Sequence, residues 1–548
     1  MSALLAATAA HDAYADKTTV CTITVNSPDE KEMFRRSLPA DKYQFVELVE
    51  RGRPDWLASA CHAGVRCDVL LISGHFDGGD EFYSDRLDAR ESLPVDELER
   101  ISCSNSCPAL FSQLKEVYLF GCNTLNPEAS TSASGETVRS LLRSGHSAAD
   151  AERLARALSE QHLDSNRERM RQIFKDVPVI YGFSSKAPLG PGAASLLERY
   201  FQSSASSDIG SGRPDARLLA LFAPSSMTVA GGSSDQDAQA GHRRDMCQFA
   251  DDRLTPAQKL AFVHQLLGRD MAEARMFLDP IEKYAASLTD ADRLRPAVSK
   301  TLDEIAGDRA ARERYLTFAR DADEAGIRAR MIALAWHLGW LTPAERQAEL
   351  ARMIQDQVDQ IVVGSADVEL VCTLNRDHGL DPARALVAMP AGKRDDVGRI
   401  AIVACLGSAP ARAQVIEALT SPDERDVRIA QVYLRHRPIV DVAELRAVAM
   451  RIARMSDANA QVRALDTLAA QSISDRESLE ALARLFPVAR TVNVQRAIAG
   501  VLIRSDYQAI AKPELLRALR EKRLKSPDGQ DLIDILIRRM QASLGGMA

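Results

Sequence analysis

Short apolar runs alternate with amphipathic stretches through the first part of the chain. Residues 69–72 and 117–120 are wholly apolar, and a glycine follows each run within two residues. Runs of this length, rich in β-branched and aromatic residues, are typical of strands buried on both faces of a parallel sheet. Similar strand patterns occur at residues 18–26, 43–49 and 177–183. Because helical patterns separate them, residues 18–224 are predicted to form a doubly wound, mostly parallel α/β domain.

The pattern changes after residue 224. Residues 225–242 are rich in Gly, Ser, Asp and Gln, which is typical of a linker, and we predict a flexible linker at residues 225–254. Residues 255–548 show helical periodicity without strand patterns, and this half of the chain is therefore predicted to be all-helical. Three of its predicted helices begin with a hydroxyl N-cap, then proline, then Glu or Gln, and these N-caps are Thr255, Thr342 and Ser421.

A weak motif recurs within the helical half. It begins at Val427, Val462 and Val494, at spacings of 35 and 32 residues, and continues with Arg or Gln and then Ala or Leu. Repeats of a few tens of residues that are built from two helices form α-solenoids. The spacing and the Val-Arg-x-Ala pattern resemble HEAT-type repeats, and the alternative is an irregular all-helical domain.

Composition narrows the classes of function. A chain of 548 residues is too long for one hydrophobic core and predicts two or more domains. Its net charge of −7 argues against nucleic-acid binding, and no apolar run approaches the roughly 20 residues that span a bilayer. Residues 1–17 are either a tail or a remnant export signal, because Ala13-Tyr14-Ala15 has a signal-peptidase form but no basic residue precedes it. We expect a cytoplasmic protein by default, and an exported or periplasmic one if the remnant signal is genuine.

The nine cysteines are concentrated near the N-terminus, where six lie between Cys21 and Cys122. The pairs Cys61/Cys67 and Cys103/Cys107 are either disulfides of an exported protein or reduced and partly buried thiols. The Cys-x-x-x-Cys spacing of the second pair has no matching pair nearby, so we expect no zinc site. Neither a metal nor a cofactor is predicted.

His75 and Cys122 each follow one of the two apolar strands, 47 residues apart. Ligands of open parallel sheets bind beyond the carboxyl ends of the strands. If these two strands are neighbours, an imidazole and a thiol face one cleft. A thiol is a weak nucleophile until it is ionised, and a neighbouring histidine both favours the thiolate and protonates a leaving amine. The pair is therefore a candidate nucleophile and general acid–base.

The motifs Leu70-Leu71-Ile72-Ser73-Gly74-His75 and Leu119-Phe120-Gly121-Cys122-Asn123-Thr124 resemble those of the caspase-like cysteine peptidases. That superfamily includes metacaspases, separase, legumain and the bacterial CHAT domains, and the Cys-x-Thr ending is closest to the CHAT group. The resemblance covers residues 18–222. It implies that a later strand, at residues 178–185, helps to form the substrate pocket, so that Ser184 and Ser185 bind substrate.

The resemblance also implies an oxyanion site formed by the backbone N–H groups of Cys122 and of the residue after His75. Here that residue is Phe76, whereas the family usually has glycine because the backbone must approach the substrate closely. The phenylalanine side chain must therefore turn away. Metacaspases carry an acidic residue two positions before the cysteine; Phe120 occupies that position here, which does not support specificity for basic residues.

Three acidic residues follow His75 in the next loop, namely Asp77, Asp80 and Glu81. They form either a negative pocket for Lys or Arg or a solvated acidic loop. A further glycine-rich turn, Gly190-x-Gly192, follows a strand and opens a helix, as in dinucleotide-binding sites, but no suitable acid follows it. A small-ligand or nucleotide module would need a phosphate-sized cavity at residues 190–193.

Together these features predict a cysteine endopeptidase domain joined to a helical repeat domain. The repeat domain is expected to recruit a substrate or a protein partner, or to regulate activity. The partners are then a protein or peptide substrate and a protein bound by the repeats, without nucleic acid or a membrane span. The alternative is a catalytically inactive interaction scaffold with the same fold.

Overall fold

The computed structural model describes residues 17–48, 57–76, 79–84, 91–104, 107–128, 135–161, 165–203, 208–376, 380, 396–471, 473–524 and 531–545. The chain divides into two compact units. The first extends to Asp321 and includes His337–Gly339, and the second comprises Ala322–Trp336 and Trp340–Ala548. The first unit contains a mostly parallel sheet with helices and the second is all-helical, which confirms the two predicted structural classes.

The strands of the first unit are β1 (Thr18–Thr24), β2 (Tyr43–Glu47), β3 (Val69–Ser73), β4 (Glu81–Tyr83), β5 (Ser92–Pro94), β6 (Glu116–Phe120), β7 (Val179–Phe183) and β8 (Met227–Ala230). Six of them form one sheet in the order β2-β1-β3-β6-β7-β8. All neighbours in this sheet are parallel except β7 and β8, which are antiparallel. The strands β4 and β5 form a separate antiparallel pair.

The helices of the first unit are α1 (Asp29–Ser37), α2 (Ala58–His62), α3 (Val95–Ser104), α4 (Pro108–Phe111), α5 (Gly135–Arg143), α6 (Ala148–Gln161), α7 (Asn166–Ile173), α8 (Gly190–Phe201), α9 (Ala216–Phe222), α10 (Ala240–Ala250), α11 (Pro256–Leu267), α12 (Met271–Arg275), α13 (Leu278–Ser287), α14 (Asp290–Arg293), α15 (Pro296–Gly307) and α16 (Arg309–Arg320).

Two hydrophobic cores lie on opposite faces of the sheet, because successive side chains of a strand point to opposite sides. Along β3, Leu70 and Ile72 join one core, and Val69 and Leu71 join the other. The first core also receives apolar side chains from α3 and α7, and the second from α1, α8 and α9. Both faces of β3 are therefore covered, which explains why its sequence is continuously apolar.

The prediction of a flexible linker at residues 225–254 is corrected by the structure. The first part of this segment is β8, which extends the sheet next to β7, and its second part is α10, which packs against α3. The side chain of Arg243 on α10 donates to the backbone oxygens of Gln172 and Ser102. This segment of small and polar residues is therefore packed against the rest of the unit. Tertiary hydrogen bonds and sheet pairing hold it in place, although its sequence has few apolar residues. The helices α11 to α16 also group with the sheet unit, so the units divide near residue 322 instead of residue 255.

The disulfides differ from the pairs Cys61/Cys67 and Cys103/Cys107 that spacing suggested. The structure joins Cys21 to Cys67, Cys61 to Cys107, Cys103 to Cys247, and Cys372 to Cys405. The first bridge links two neighbouring strand regions, since β1 pairs directly with β3. The second links α2 to the start of α4, and the third fixes α10 to α3. Proximity in space, and not along the chain, decides each pairing.

The helices of the second unit are α17 (Ala325–His337), α18 (Pro343–Asp359), α19 (Ser365–Leu374), α20 (Val397–Cys405), α21 (Ala409–Ala418), α22 (Glu424–His436), α23 (Val442–Ile452), α24 (Ala458–Ala469), α25 (Arg476–Leu485), α26 (Val492–Arg504), α27 (Pro513–Glu521) and α28 (Leu532–Gly545). From α20 onward the even-numbered helices contact one another in succession, and α23 and α25 contact each other beside them. Helices two apart in sequence are therefore neighbours within one layer.

The N-caps of the even-numbered helices show the true period of this region. Asp423, Asp457 and Thr491 cap α22, α24 and α26 at intervals of 34 residues. The spacings of 35 and 32 residues that the sequence suggested thus differ by one or two positions from the structural repeat. Gln461 and Gln495, each four residues after its N-cap, donate to carbonyls at the end of the preceding helical segment. The repeat is set by helix ends and buried polar contacts as well as by valines.

Candidate active site

The neighbouring strands β3 and β6 bring the two predicted catalytic residues to the same edge of the sheet. They pair in parallel, with Ser73 opposite Phe120. The backbone N–H of Gly74 donates to the Phe120 carbonyl over 3.0 Å, so the pairing continues past the last strand residue. His75 and Cys122 each lie two residues beyond the Ser73–Phe120 pair, at the carboxyl ends of these adjacent strands. Both side chains are half-buried.

Cys122 is the one cysteine outside the four disulfides, and all nine cysteines lie in the described residues. The backbone N–H of Ala187 donates to its sulfur over 3.3 Å. Such a donor stabilises negative charge on the sulfur. Asn123 follows with a φ of 60°, and its N–H donates to the Ser185 carbonyl over 2.6 Å. The thiol is thus held between the end of β6 and the segment after β7.

Thr124 explains the second half of the Cys-x-Thr motif. Its buried hydroxyl donates to the Gly121 carbonyl over 3.2 Å and accepts the backbone N–H of Phe183 over 3.0 Å. A Cβ on Gly182 would lie 2.6 Å from the same hydroxyl oxygen, so β7 approaches the turn as closely as only glycine allows. These contacts fix the turn that carries Cys122 to the neighbouring strand.

His75 is held by the short strand β4. Its N–H donates to the Tyr83 carbonyl and its carbonyl accepts the Tyr83 N–H, each over 2.9 Å. The two rings lie with their centroids 5.4 Å apart. This backbone pair fixes the main chain from which the imidazole projects. Sequence reasoning missed Tyr83, because only the tertiary pairing of β4 with His75 singles it out.

Phe76 turns its side chain into the core. The ring is fully buried and packs against Phe82 at a centroid distance of 4.7 Å. The N–H groups of Phe76 and Cys122 donate to no acceptor in the part of the chain that the structure describes. Phe76 is 0 % exposed as a whole residue, so an oxyanion reaches its N–H only if the substrate displaces the atoms that cover it, whereas Cys122 is half-buried.

The residues predicted to bind substrate lie in two different settings. Ser184 and Ser185 are next to residues 121–124, the turn that carries Cys122 (the cysteine turn). Ser184 donates to the Ser226 carbonyl, and the Ser185 carbonyl accepts from the N–H of Asn123. Asp80 is exposed, and its carboxylate lies 3.4 Å from the Arg169 guanidinium and 3.7 Å from the Lys283 ammonium. Asp77 lies outside the described residues.

The turn at Gly190 does not suit a nucleotide. A Cβ on Gly190 would meet the side chains of Ser27 and Asp29, and the hydroxyl of Ser27 donates to the Asp29 carboxylate over 2.7 Å. A carboxylate at the start of α8 repels phosphate. A nucleotide site would need a phosphate-sized space at residues 190–193. Next to Gly190 that space is filled by Ser27, which follows β1, and by Asp29, the first residue of α1.

Glu30 is a buried acid beneath the site that the sequence did not indicate. Only 4 % of it is exposed, and burial, the largest cause, raises its pKa to about 7. The Ser73 hydroxyl, two residues before His75, acts on this pKa in the opposite direction, although neither it nor Glu30 Oε2 has a hydrogen-bond partner among the described residues. A glutamate in the first turn of a helix is ordinary in sequence, so no local signal marks this one as buried.

Comparisons with family models, with curated proteins and with solved structures find no match to this chain. Among the described residues, no helix has the length and apolar character needed to cross a bilayer. The same residues contain no group of three or more His, Cys, Asp or Glu arranged to hold a metal ion.

Proposed function

We propose that this chain is a caspase-like cysteine endopeptidase in which Cys122 is the nucleophile and His75 the general base and acid. The observation that carries the proposal is the parallel register of β3 and β6, with Ser73 opposite Phe120. It sets both functional groups two residues beyond paired strand ends, at the edge where open sheets bind ligands. An unrelated buried cysteine would not need a histidine at the end of the neighbouring strand.

The chemistry follows from these positions. His75 takes the proton of the Cys122 thiol, and the thiolate sulfur attacks the scissile carbonyl carbon to form a tetrahedral oxyanion. The N–H groups of Phe76 and Cys122 would donate to that oxyanion. Collapse breaks the C–N bond, and the proton returns from His75 to the leaving amine. Water then attacks the thioester, with His75 as base, and releases the acid and the thiol.

The pattern of cysteine oxidation supports a reactive role for Cys122. Eight of the nine cysteines are paired in disulfides, and the unpaired one is half-buried at the sheet edge. Disulfides persist in oxidising compartments, so we place the protein in such a compartment, in line with the exported alternative. A half-exposed thiol kept free among disulfides is most simply explained by its reactivity.

For the second unit we propose a HEAT-like solenoid that binds a protein partner or the substrate. The support is the 34-residue interval of helix caps and the succession of contacts between α20, α22, α24, α26 and α28. Stacked helix pairs of this kind give an extended surface suited to protein recognition.

The test is peptide-library profiling of the full chain, with the Cys122→Ala variant as matched control. We expect wild-type protein to cleave a subset of peptides and to be labelled at Cys122 by an electrophilic peptide probe. The variant should lose both reactions and keep its thermal unfolding midpoint. If wild-type protein cleaves no peptide and reacts with no such probe, the enzyme proposal fails and the inactive scaffold is favoured.

A further inference from the structure

The helix α7 contacts both loops of the proposed dyad, although no catalytic motif includes it. Its first residue, Asn166, donates through its side-chain amide to the carbonyl of Asn123 over 3.0 Å. Asn123 directly follows Cys122 and has a φ of 60°. The N–H of Arg167 donates to the Asn126 carbonyl over 3.1 Å. The cysteine turn is therefore held at two carbonyls by the first turn of one helix.

The same helix also contacts Gly79, four residues after His75. Arg169 donates to the Gly79 carbonyl over 2.8 Å, and its guanidinium is anchored by Glu99 and Asp96 of α3 at 2.5 and 2.8 Å. Gly79 has a φ of 87°, and a Cβ there would lie 2.5 Å from the side-chain oxygen of Asn166. The Asn166 side chain thus fits between the two segments. Its amide N–H₂ donates to the Asn123 carbonyl, and its oxygen packs against Gly79.

We propose that Asn166 is a positioning residue that sets the Cys122 turn relative to the His75 loop, with Arg169 fixing the second loop to the same helix. This inference rests on the proposed function, because its purpose is to align a thiol with an imidazole. Neither residue reaches the reacting atoms. Both act through backbone carbonyls that lie one residue after the cysteine and four residues after the histidine. A misplacement of about 1 Å in such a pair can cost roughly 100-fold in rate.

The test uses the single free thiol of the protein. Iodoacetamide modifies thiolates, and with eight cysteines in disulfides the intact mass reports Cys122 alone. The alkylation rate is measured between pH 5 and 9 for wild type and for His75→Ala, which shows the profile of an uncoupled thiol. We expect wild type to react at pH 6 on the order of tenfold or more faster than His75→Ala, because the imidazole stabilises the thiolate.

Asn166→Asp is the decisive variant. Aspartate keeps the shape of asparagine but cannot donate to the Asn123 carbonyl, and its charge favours the start of a helix. We expect an unfolding midpoint no lower than wild type, together with an alkylation profile shifted toward that of His75→Ala. Because the new carboxylate also disfavours a nearby thiolate directly, the shift supports a positioning role only if an uncharged variant reproduces it. Asn166→Ala should shift the profile in the same direction.

A second pair keeps the inference testable if Asn166 variants misfold. Arg169→Gln removes the contact to Gly79, whereas Arg171→Gln, on the same helix, removes contacts to Gly231, Glu168 and Asp237 instead. Only Arg169→Gln should shift the alkylation profile. If Asn166→Asp and Arg169→Gln both retain the wild-type profile, the positioning role is wrong and the dyad stands. If wild type already matches His75→Ala, the dyad proposal is wrong, and the inference falls with it.

Discussion

A Cβ built on Gly121 would lie 2.8 Å from the Cβ of Phe76 and 2.9 Å from the Gly74 carbonyl oxygen. The residue before the proposed nucleophile thus packs directly on the residue after the proposed base. Cβ contacts under 3.0 Å essentially do not occur in real structures. The close approach of the two loops therefore depends on the absence of a side chain at residue 121.

We predict that Gly121→Ala separates the two loops and slows alkylation of Cys122. Overpacking of this kind costs about 1–3 kcal/mol in the free energy of unfolding. The measurement is the alkylation rate at pH 6 together with a urea unfolding curve. Gly307→Ala is the matched control, because no atom lies within 4 Å of its added methyl group. If Cys122 of Gly121→Ala is alkylated at the wild-type rate, the close approach of the loops is not needed for the reactivity of the thiol.

Phe76 is predicted to be essential for stability, and Phe76→Gly is not expected to improve catalysis. The ring is fully buried against Phe82, and removing a buried phenylalanine side chain costs about 3–5 kcal/mol. Urea unfolding of Phe76→Ala measures this loss. Leu294→Ala, at a site that is 81 % exposed, should change stability by less than about 0.5 kcal/mol. Higher peptidase activity in Phe76→Gly would contradict the assignment of Phe76 as a core residue.

Glu30 predicts a pH dependence of stability. Its pKa rises from 4.5 to about 7 on folding because burial disfavours the charged form. The folded chain then binds more protons than the unfolded chain between pH 4.5 and 7, so stability decreases as the pH rises through that range. The loss approaches roughly 3 kcal/mol above pH 7, at about 1.4 kcal/mol for each pKa unit.

Glu30→Gln should remove this part of the pH dependence. Glutamine has the same shape and no charge, so the variant is expected to be more stable than wild type at pH 8 and similar to it at pH 5. Urea unfolding at the two pH values makes the comparison. An unchanged difference in stability between pH 5 and pH 8 would show that Glu30 is ionised in the folded chain.

The disulfide between Cys103 and Cys247 should stabilise the first unit, because it fixes α10 to α3 across 144 residues. We predict that the double variant Cys103→Ala and Cys247→Ala loses about 2–4 kcal/mol. Differential scanning calorimetry of the full chain measures the change, with Cys122→Ala as the control that removes a thiol without breaking a bridge. A midpoint equal to that of the control would mean that α10 is held by its other contacts alone.

Much of the first unit follows from local pattern. The apolar runs at residues 69–72 and 117–120 are strands in the structure, because a continuous apolar run requires cover on both faces. The helical half is also recognisable, since apolar residues recur there with helical spacing. The repeat was less well defined from the sequence. Val462 lies five residues after the cap Asp457, whereas Val494 lies three residues after the cap Thr491, so the two valines are two positions out of register.

Some residues of the candidate site can be predicted from the sequence, and others are found only in the tertiary structure. His75 and Cys122 can be identified from the sequence, because each is a potentially catalytic residue that follows a predicted strand. The contributions of Tyr83 and Asn166 are not visible, since each acts through backbone hydrogen bonds to a loop distant in sequence. The predicted acid Asp80 is exposed and paired with cations, which a list of charges along the chain does not reveal.

The sequence by itself determined the strand and helix types and the two residues on which the proposed chemistry depends, because these properties arise from neighbours a few positions apart. Tertiary structure alone decided the partners of the cysteines, the packing of residues 225–254 and the contacts of α7 with both loops. Each of these is a contact between segments that are tens of residues apart in sequence. Its free energy depends on the geometry of the folded sheet, to which a local pattern of apolar and polar residues is insensitive.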